Sequence, residues 1–150
     1  MAYVVSRRKV TASISDQIAS YFTQKRYAVF KEIGLCKHGK LRADFIAVNM
    51  KHQIVIIEVK SCPEDFLSDR KWKGYLPYCH KFYFALTSKT YQKVGDLIPK
   101  GIGVILVDQN FCFVQNARTR EIETDYLLEI LTRLAFRQAD YNRYKYVRKI

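Results

Sequence analysis

A chain of 150 residues that is 49% hydrophobic and 27% charged has the composition of one folded domain. That length is enough to bury roughly 68–70% of its unfolded surface. The longest apolar runs, such as Phe82 to Leu86, fall far short of the about 20 residues that span a bilayer, and an aromatic content of 14% excludes wholesale disorder. Lys plus Arg number 26 against 14 Asp plus Glu, a net charge of +12, which calls for an anionic partner, either nucleic acid or an anionic membrane surface.

In chain order, Ile14, Ile18, Tyr21 and Phe22 recur at helical spacing behind Ser13 and Ser15, either of which suits an N-cap. Extended runs follow at Tyr27–Ile33, Leu41–Val48 and Gln53–Lys60, broken by Gly34 to Lys40 and by a short hairpin turn at Asn49 to His52. The run Ile54–Val55–Ile56–Ile57 is apolar on both faces, as in a central strand covered by helices. Ser61 and Glu64 have capping-box spacing with Pro63 in the first turn, predicting a helix over Glu64–Tyr75. Strands are expected at His80–Leu86, Gly101–Val107 and Phe111–Gln115. A helix carrying Ile122, Tyr126, Ile130 and Leu134 comes last. No linker or repeat divides the chain, so one domain over 1–150 is expected, with a basic, Tyr-rich tail from about 137. Three antiparallel strands and a helical crossover to a fourth make an α/β fold with a mixed central sheet flanked by helices.

Asp44, Glu58 and Lys60 carry the chemistry. Glu58 and Lys60 are two apart on a strand and leave the same face, at the end of an apolar run where charges persist only if paired, neutralised or bound to an ion. Asp44, on the neighbouring strand, can bring a second carboxylate to that end. Two carboxylates and the Val59 backbone carbonyl form a hard oxygen site suited to Mg²⁺, with Mn²⁺ as a substitute. Lys60 beside it would stabilise charge developing on a phosphate or help activate a water.

Asp44, a 13-residue gap and Glu58-Val59-Lys60 resemble the D…E-x-K core of the PD-(D/E)XK nuclease superfamily. The stretch from Arg42 to Leu86 is more closely similar to the MmcB-like DNA-repair nucleases. Arg42-Ala43-Asp44, Glu58-Val59-Lys60-Ser61, Asp65-Phe66-Leu67-Ser68-Asp69-Arg70-Lys71-Trp72, Tyr75-Leu76, Tyr78-Cys79 and Phe82-Tyr83-Phe84-Ala85 carry the similarity. The resemblance implies a restriction-endonuclease-like α-β-β-β-α-β core and Mg²⁺-dependent hydrolysis of DNA phosphodiesters; DNA repair, recombination or viral DNA metabolism is the expected setting, and an endonuclease is expected with exonuclease action left open. Asp44 and Glu58 would be its ligands and Lys60 its catalytic lysine. A further acidic residue is common in the superfamily; Glu32 on the first strand is preferred here over Asp16 in the first helix. Some relatives carry Q-x-x-x-Y after E-x-K. Lys71 and Tyr75 have that spacing, with Lys replacing Gln.

Asp65 and Asp69 read as helix-dipole partners and solvated charges. The tail interleaves Arg133, Arg137, Arg143, Lys145, Arg148 and Lys149 with Tyr141, Tyr144 and Tyr146, which suits a nucleic-acid path as well as a solvated terminus. DNA is the expected partner, with RNA open. The rival functions are an inactive nuclease-like DNA-binding module and a basic protein-interaction domain. The oligomeric state is open, a homodimer among the options. Cysteines without C-x-x-C pairs suggest reduced thiols. The N-terminus MAYVVSRRKV places its charges after a short apolar stretch, the reverse of a secretory signal, so a location in the cytoplasm or a host cell's nucleic-acid compartment is expected, neither secreted nor in a membrane.

Overall fold

The computed structural model describes residues 7–35, 40–108 and 111–147, and only the backbone of 7–12 and 143–147. Helix α1 (Arg7–Gln24) leads into β1 (Ala28–Gly34), β2 (Arg42–Val48) and β3 (Ile54–Lys60). Helix α2 (Pro63–Ser68) and a 3-10 turn (Trp72–Tyr78) cross over to β4 (Lys81–Leu86). Helix α3 (Ser88–Val94), β5 (Gly103–Leu106), β6 (Cys112–Gln115) and α4 (Thr124–Val147) complete the chain. The strands form one sheet in the order β1-β2-β3-β4-β5-β6. Pairing is antiparallel from β1 to β3 and between β5 and β6, and parallel across β3-β4-β5. This is the mixed α/β sheet with the expected helix–three strands–helix–strand core. Among the described residues no helix is long and apolar enough to cross a membrane.

Strand β3 divides its side chains between two cores. Ile54 and Ile56 join Phe82, Phe84, Phe66, Ile130 and Leu134 on the face covered by α2 and α4. Val55 and Ile57 join Ile14, Ile18, Phe22 and Tyr83 on the face covered by α1. Its alternation therefore needs apolar residues at every position, and the fully hydrophobic run follows. The Asn49 side chain builds the β2–β3 turn by accepting from the Lys51 and Gln53 N–H groups, each at 3.0 Å.

The close packing of β4 on β5 leaves no room at Gly103. A Cβ there would stand 2.2 Å from the Tyr83 ring. Gly103→Ala should lower stability by roughly 1–3 kcal/mol in a urea titration; an unchanged midpoint would mean the ring can step aside.

Several local expectations are corrected. Ser13 and Ser15 lie inside α1, which already includes Arg7, so neither caps it. The Ser61–Glu64 capping box is not formed. Cys62 occupies the N-cap without a side-chain cap bond, and Ser61 Oγ donates instead to Asp65 Oδ2 at 2.7 Å. The helix predicted over Glu64–Tyr75 is two pieces, because Asp69 Oδ1 accepts from the Lys71 and Trp72 N–H groups at 2.8 and 3.1 Å. Those bonds compete with helical ones and start a new turn. Helix α3, unassigned from sequence, opens on Thr87, whose hydroxyl accepts from the Thr90 N–H at 3.3 Å. Helix α4 runs on to Val147, so the stretch from 137 to 147 is helical.

Candidate active site

The β2–β3 ladder is paired up to Phe45↔Ile57. One step further, in the same register, Asp44 faces Glu58, and there the side chains replace the ladder. The Asp44 N–H donates to Glu58 Oε1 at 2.9 Å, and the Val59 N–H donates to Asp44 Oδ2 at 2.9 Å. This reciprocal exchange fixes both carboxylates where the two strands part. The N–H and C=O of an extended residue point to the same side, so the Val59 carbonyl faces β2 as well. Among the described residues neither Asp44 Oδ1 nor Glu58 Oε2 receives a hydrogen bond, which leaves one acceptor oxygen of each for a ligand.

Burial makes this pair electrostatically uncomfortable. Glu58 is only 5% exposed, and desolvation, followed by the Asp44 charge, pushes its carboxyl up to about 8. Asp44 is also raised, chiefly by desolvation, against the opposing Val59 N–H and Lys60 charge. Two adjacent carboxylates that resist ionising together are relieved by a cation, and they fit the sequence expectation of a hard-cation site. Among the described residues no three His, Cys, Asp or Glu side chains converge. A divalent ion held here would rest on two carboxylates, the Val59 carbonyl and water, the ligand economy of Mg²⁺.

Lys60 leaves the same face of β3 and is 9% exposed. Its ammonium meets Asp69 Oδ2 at 2.7 Å. Asp69 is therefore the partner of the site's lysine, where sequence spacing suggests a solvated helix charge. The clue available is its place in the D-F-L-S-D-R-K-W stretch, but the nine-residue separation matches no local period. Tyr75 is buried, and its hydroxyl donates to the Arg42 carbonyl at 2.8 Å. Burial, then the charges of Glu58, Asp44 and Asp69, raise its pKa. Lys71 is exposed just before the 3-10 turn, so Lys71 and Tyr75 share no α-helical face.

Glu32 lies opposite Asp44 in the β1–β2 register, yet the ladder steps over it, from Lys31↔Phe45 to Ile33↔Ala43. Its backbone is left-handed, φ 53°, an unusual state for a non-glycine residue that is found disproportionately at functional sites. Its carboxylate is near enough to raise Asp44 further. Asp16 is exposed on α1, across the sheet from Glu58, and is not brought to the pair.

The tail arginines have structural tasks. Arg137 donates to the Lys31 and Glu32 carbonyls at 2.7 and 2.6 Å, and Arg133 to the Gly34 carbonyl at 3.2 Å and to Glu129. They clamp α4 along the edge strand beside Glu32. The side chains of Arg143 and Lys145, and all of Arg148, lie outside the described residues.

Comparison with known proteins adds the following. No curated protein matches the chain. A solved protein of unknown function from Silicibacter pomeroyi superposes with a TM-score of 0.71 at 20% identity, covering 98% of this chain and 94% of that one. A repair endonuclease from Pyrococcus abyssi matches with a TM-score of 0.35 at 13% identity, over 64% of this chain and 45% of that one. The model of the MmcB-like DNA repair proteins matches residues 4–139. With nearly the whole chain inside that match, the protein belongs to the MmcB-like family of DNA repair proteins.

Proposed function

We propose that the protein is a metal-dependent deoxyribonuclease of DNA repair, an endonuclease that hydrolyses phosphodiesters where β2 and β3 part. The observation that carries this reading is the reciprocal Asp44–Glu58 exchange with Lys60 on the same face. Asp44, Glu58 and the Val59 carbonyl would hold Mg²⁺ or Mn²⁺. The ion would supply Lewis-acid polarisation of the phosphodiester.

The chain's own residues do the rest. Each carboxylate is oriented by a backbone N–H, so little reorganisation is needed when a phosphate arrives. The Lys60 ammonium, held by Asp69, places positive charge beside the position where negative charge develops on phosphorus oxygens. The exposed Arg42, whose charge acts on Asp44, and the exposed Arg70 and Lys71, next to Asp69 in the chain, suit phosphate tracking.

Supercoiled plasmid incubated with Mg²⁺ or Mn²⁺, and with chelator, tests the proposal. Wild type should nick it only with metal. Asp44→Asn, Glu58→Gln and Lys60→Ala should each lower the rate by on the order of 10²–10⁴.

The rival reading expected from sequence, a DNA-binding module without cleavage, is separated by the same assay. DNA retention with no nicking in either metal would establish that rival and overturn the proposal.

A further inference from the structure

On the opposite face of the sheet, and at the other end of β3, lies a cavity of about 660 Å³, within the roughly 300–1,000 Å³ of small-molecule sites. We propose that it seats a nucleoside phosphate, with the base against its aromatic wall and the phosphate on its cationic rim. This inference does not depend on DNA cleavage by Asp44, Glu58 and Lys60.

Val55 and Tyr83 form a buried floor, and Tyr21, Tyr27 and Phe113 are half-buried walls. The rings are held in place. Tyr21 stacks on Phe111 at 4.5 Å between centroids, and Phe22 meets Tyr27 edge-on at 5.3 Å. The Tyr27 hydroxyl donates to Gln53 Oε1 at 3.0 Å. Tyr21 lies between Phe111 and the Lys25 ammonium, which stands 5.8 Å over its ring, so Tyr27, Tyr83 and Phe113 are the rings that offer apolar faces and edges to an occupant. A planar base is the complement of such a wall, and a stacked base needs no particular sequence.

The rim is cationic: Lys25 and Arg26 follow α1, Lys51 lies in the β2–β3 turn, and Lys81 begins β4. The first two also suit the C-terminal dipole of α1. Lys51 and Lys81 have no such reason to be there, and three separate parts of the chain converge on one opening. The lining contains no carboxylate, and none of the four cations is in an ion pair among the described residues. Arg26 is moreover held left-handed, φ 64°, at the helix end, where its N–H donates to the Thr23 carbonyl and that of Tyr27 to the Phe22 carbonyl. Glycine is the usual residue in that motif; here a cation takes its place at the rim. Met50, 91% exposed beside Lys51, adds a pliable apolar edge. Rings without cations would suit a neutral ligand, and cations without rings a bare phosphate. The combination fits both halves of a nucleotide.

The test uses the full chain, fluorescence anisotropy of labelled (dT)6, and calorimetry with dTMP and with inorganic phosphate. Lys51→Glu with Lys81→Glu should weaken nucleotide binding about tenfold or more. Lys93→Glu with Lys100→Glu, an equal charge change on exposed residues elsewhere, should weaken it far less. If the first pair unfolds early, Lys51→Ala with Lys81→Ala is read in its place. Binding of (dT)6 assigns the seat to a strand, and binding of dTMP alone assigns it to a free nucleotide; either supports the proposal. Equal weakening by both charge-reversed pairs, inorganic phosphate binding as tightly as dTMP, or no binding of either nucleotide probe overturns it.

Discussion

Glu58→Gln should melt higher than wild type at pH 9 in the absence of metal, and close to wild type at pH 5. A glutamate in the unfolded chain ionises near 4.3, whereas the folded protein holds Glu58 protonated up to about 8 through burial and the neighbouring Asp44. Between those values the native state binds more protons than the unfolded one, so stability falls as pH rises through the window. The loss is complete above about pH 8 and is on the order of 5 kcal/mol, because each tenfold change in proton affinity is worth about 1.4 kcal/mol. Glutamine keeps an oxygen to accept the Asp44 N–H and carries no charge. The variant should therefore gain roughly 10–20 °C at pH 9, since 1 kcal/mol corresponds to about 2–4 °C at this size.

Differential scanning calorimetry at the two pH values, with chelator, is the measurement. A variant that melts no higher than wild type at pH 9 would show that Glu58 ionises without strain. Added Mg²⁺ should raise the wild-type melting temperature near pH 8 and leave the variant almost unmoved, because a ligand stabilises only the state that binds it. Stability and a charged site would then be in direct opposition at one residue.

The parts of the site legible in the sequence are those written in a strand's two-residue period. Ile54 to Ile57 identify a strand buried on both faces, and Glu58 and Lys60 inherit its alternation. Asp44 follows because a short turn at Asn49 sets the register of the hairpin. What the sequence hides depends on contacts with no local period. Phe66, Leu67, Trp72 and Tyr75 recur at near-helical spacing, which puts Asp69 on a continuous helix. Its own side chain is what ends that helix, by capping the Lys71 and Trp72 N–H groups. Arg133 and Arg137 look like a phosphate track in sequence. In the fold they reach β1 carbonyls about a hundred residues away. The aromatic cavity is assembled from α1 and the residues just after it, the β2–β3 turn and three strands, and each piece alone reads as ordinary core or surface.

Asp69→Ala should be among the most damaging single substitutions in the chain. It removes the partner of an ammonium whose side chain is 11% exposed, Asp69 itself being 12% exposed. Leaving a buried charge uncompensated costs about 3–5 kcal/mol, and the same substitution deletes the acceptor that starts the Trp72–Tyr78 turn. A urea titration should show the midpoint falling by roughly 2 M, given about 1–3 kcal/mol per M. Asp69→Asn separates the two contributions, because its amide oxygen can keep the cap while the charge is gone; it should lie between wild type and alanine.

Adding Lys60→Met to Asp69→Ala should recover part of the lost stability, since the stranded ammonium is then removed as well. Such recovery marks a coupled buried pair; a purely additive double variant would mean that each residue acts through separate contacts. Under the cleavage reading, Asp69→Asn assayed at a temperature where it is fully folded should lower kcat with little change in KM. In that reading Asp69 would position the lysine and would not itself hold the DNA.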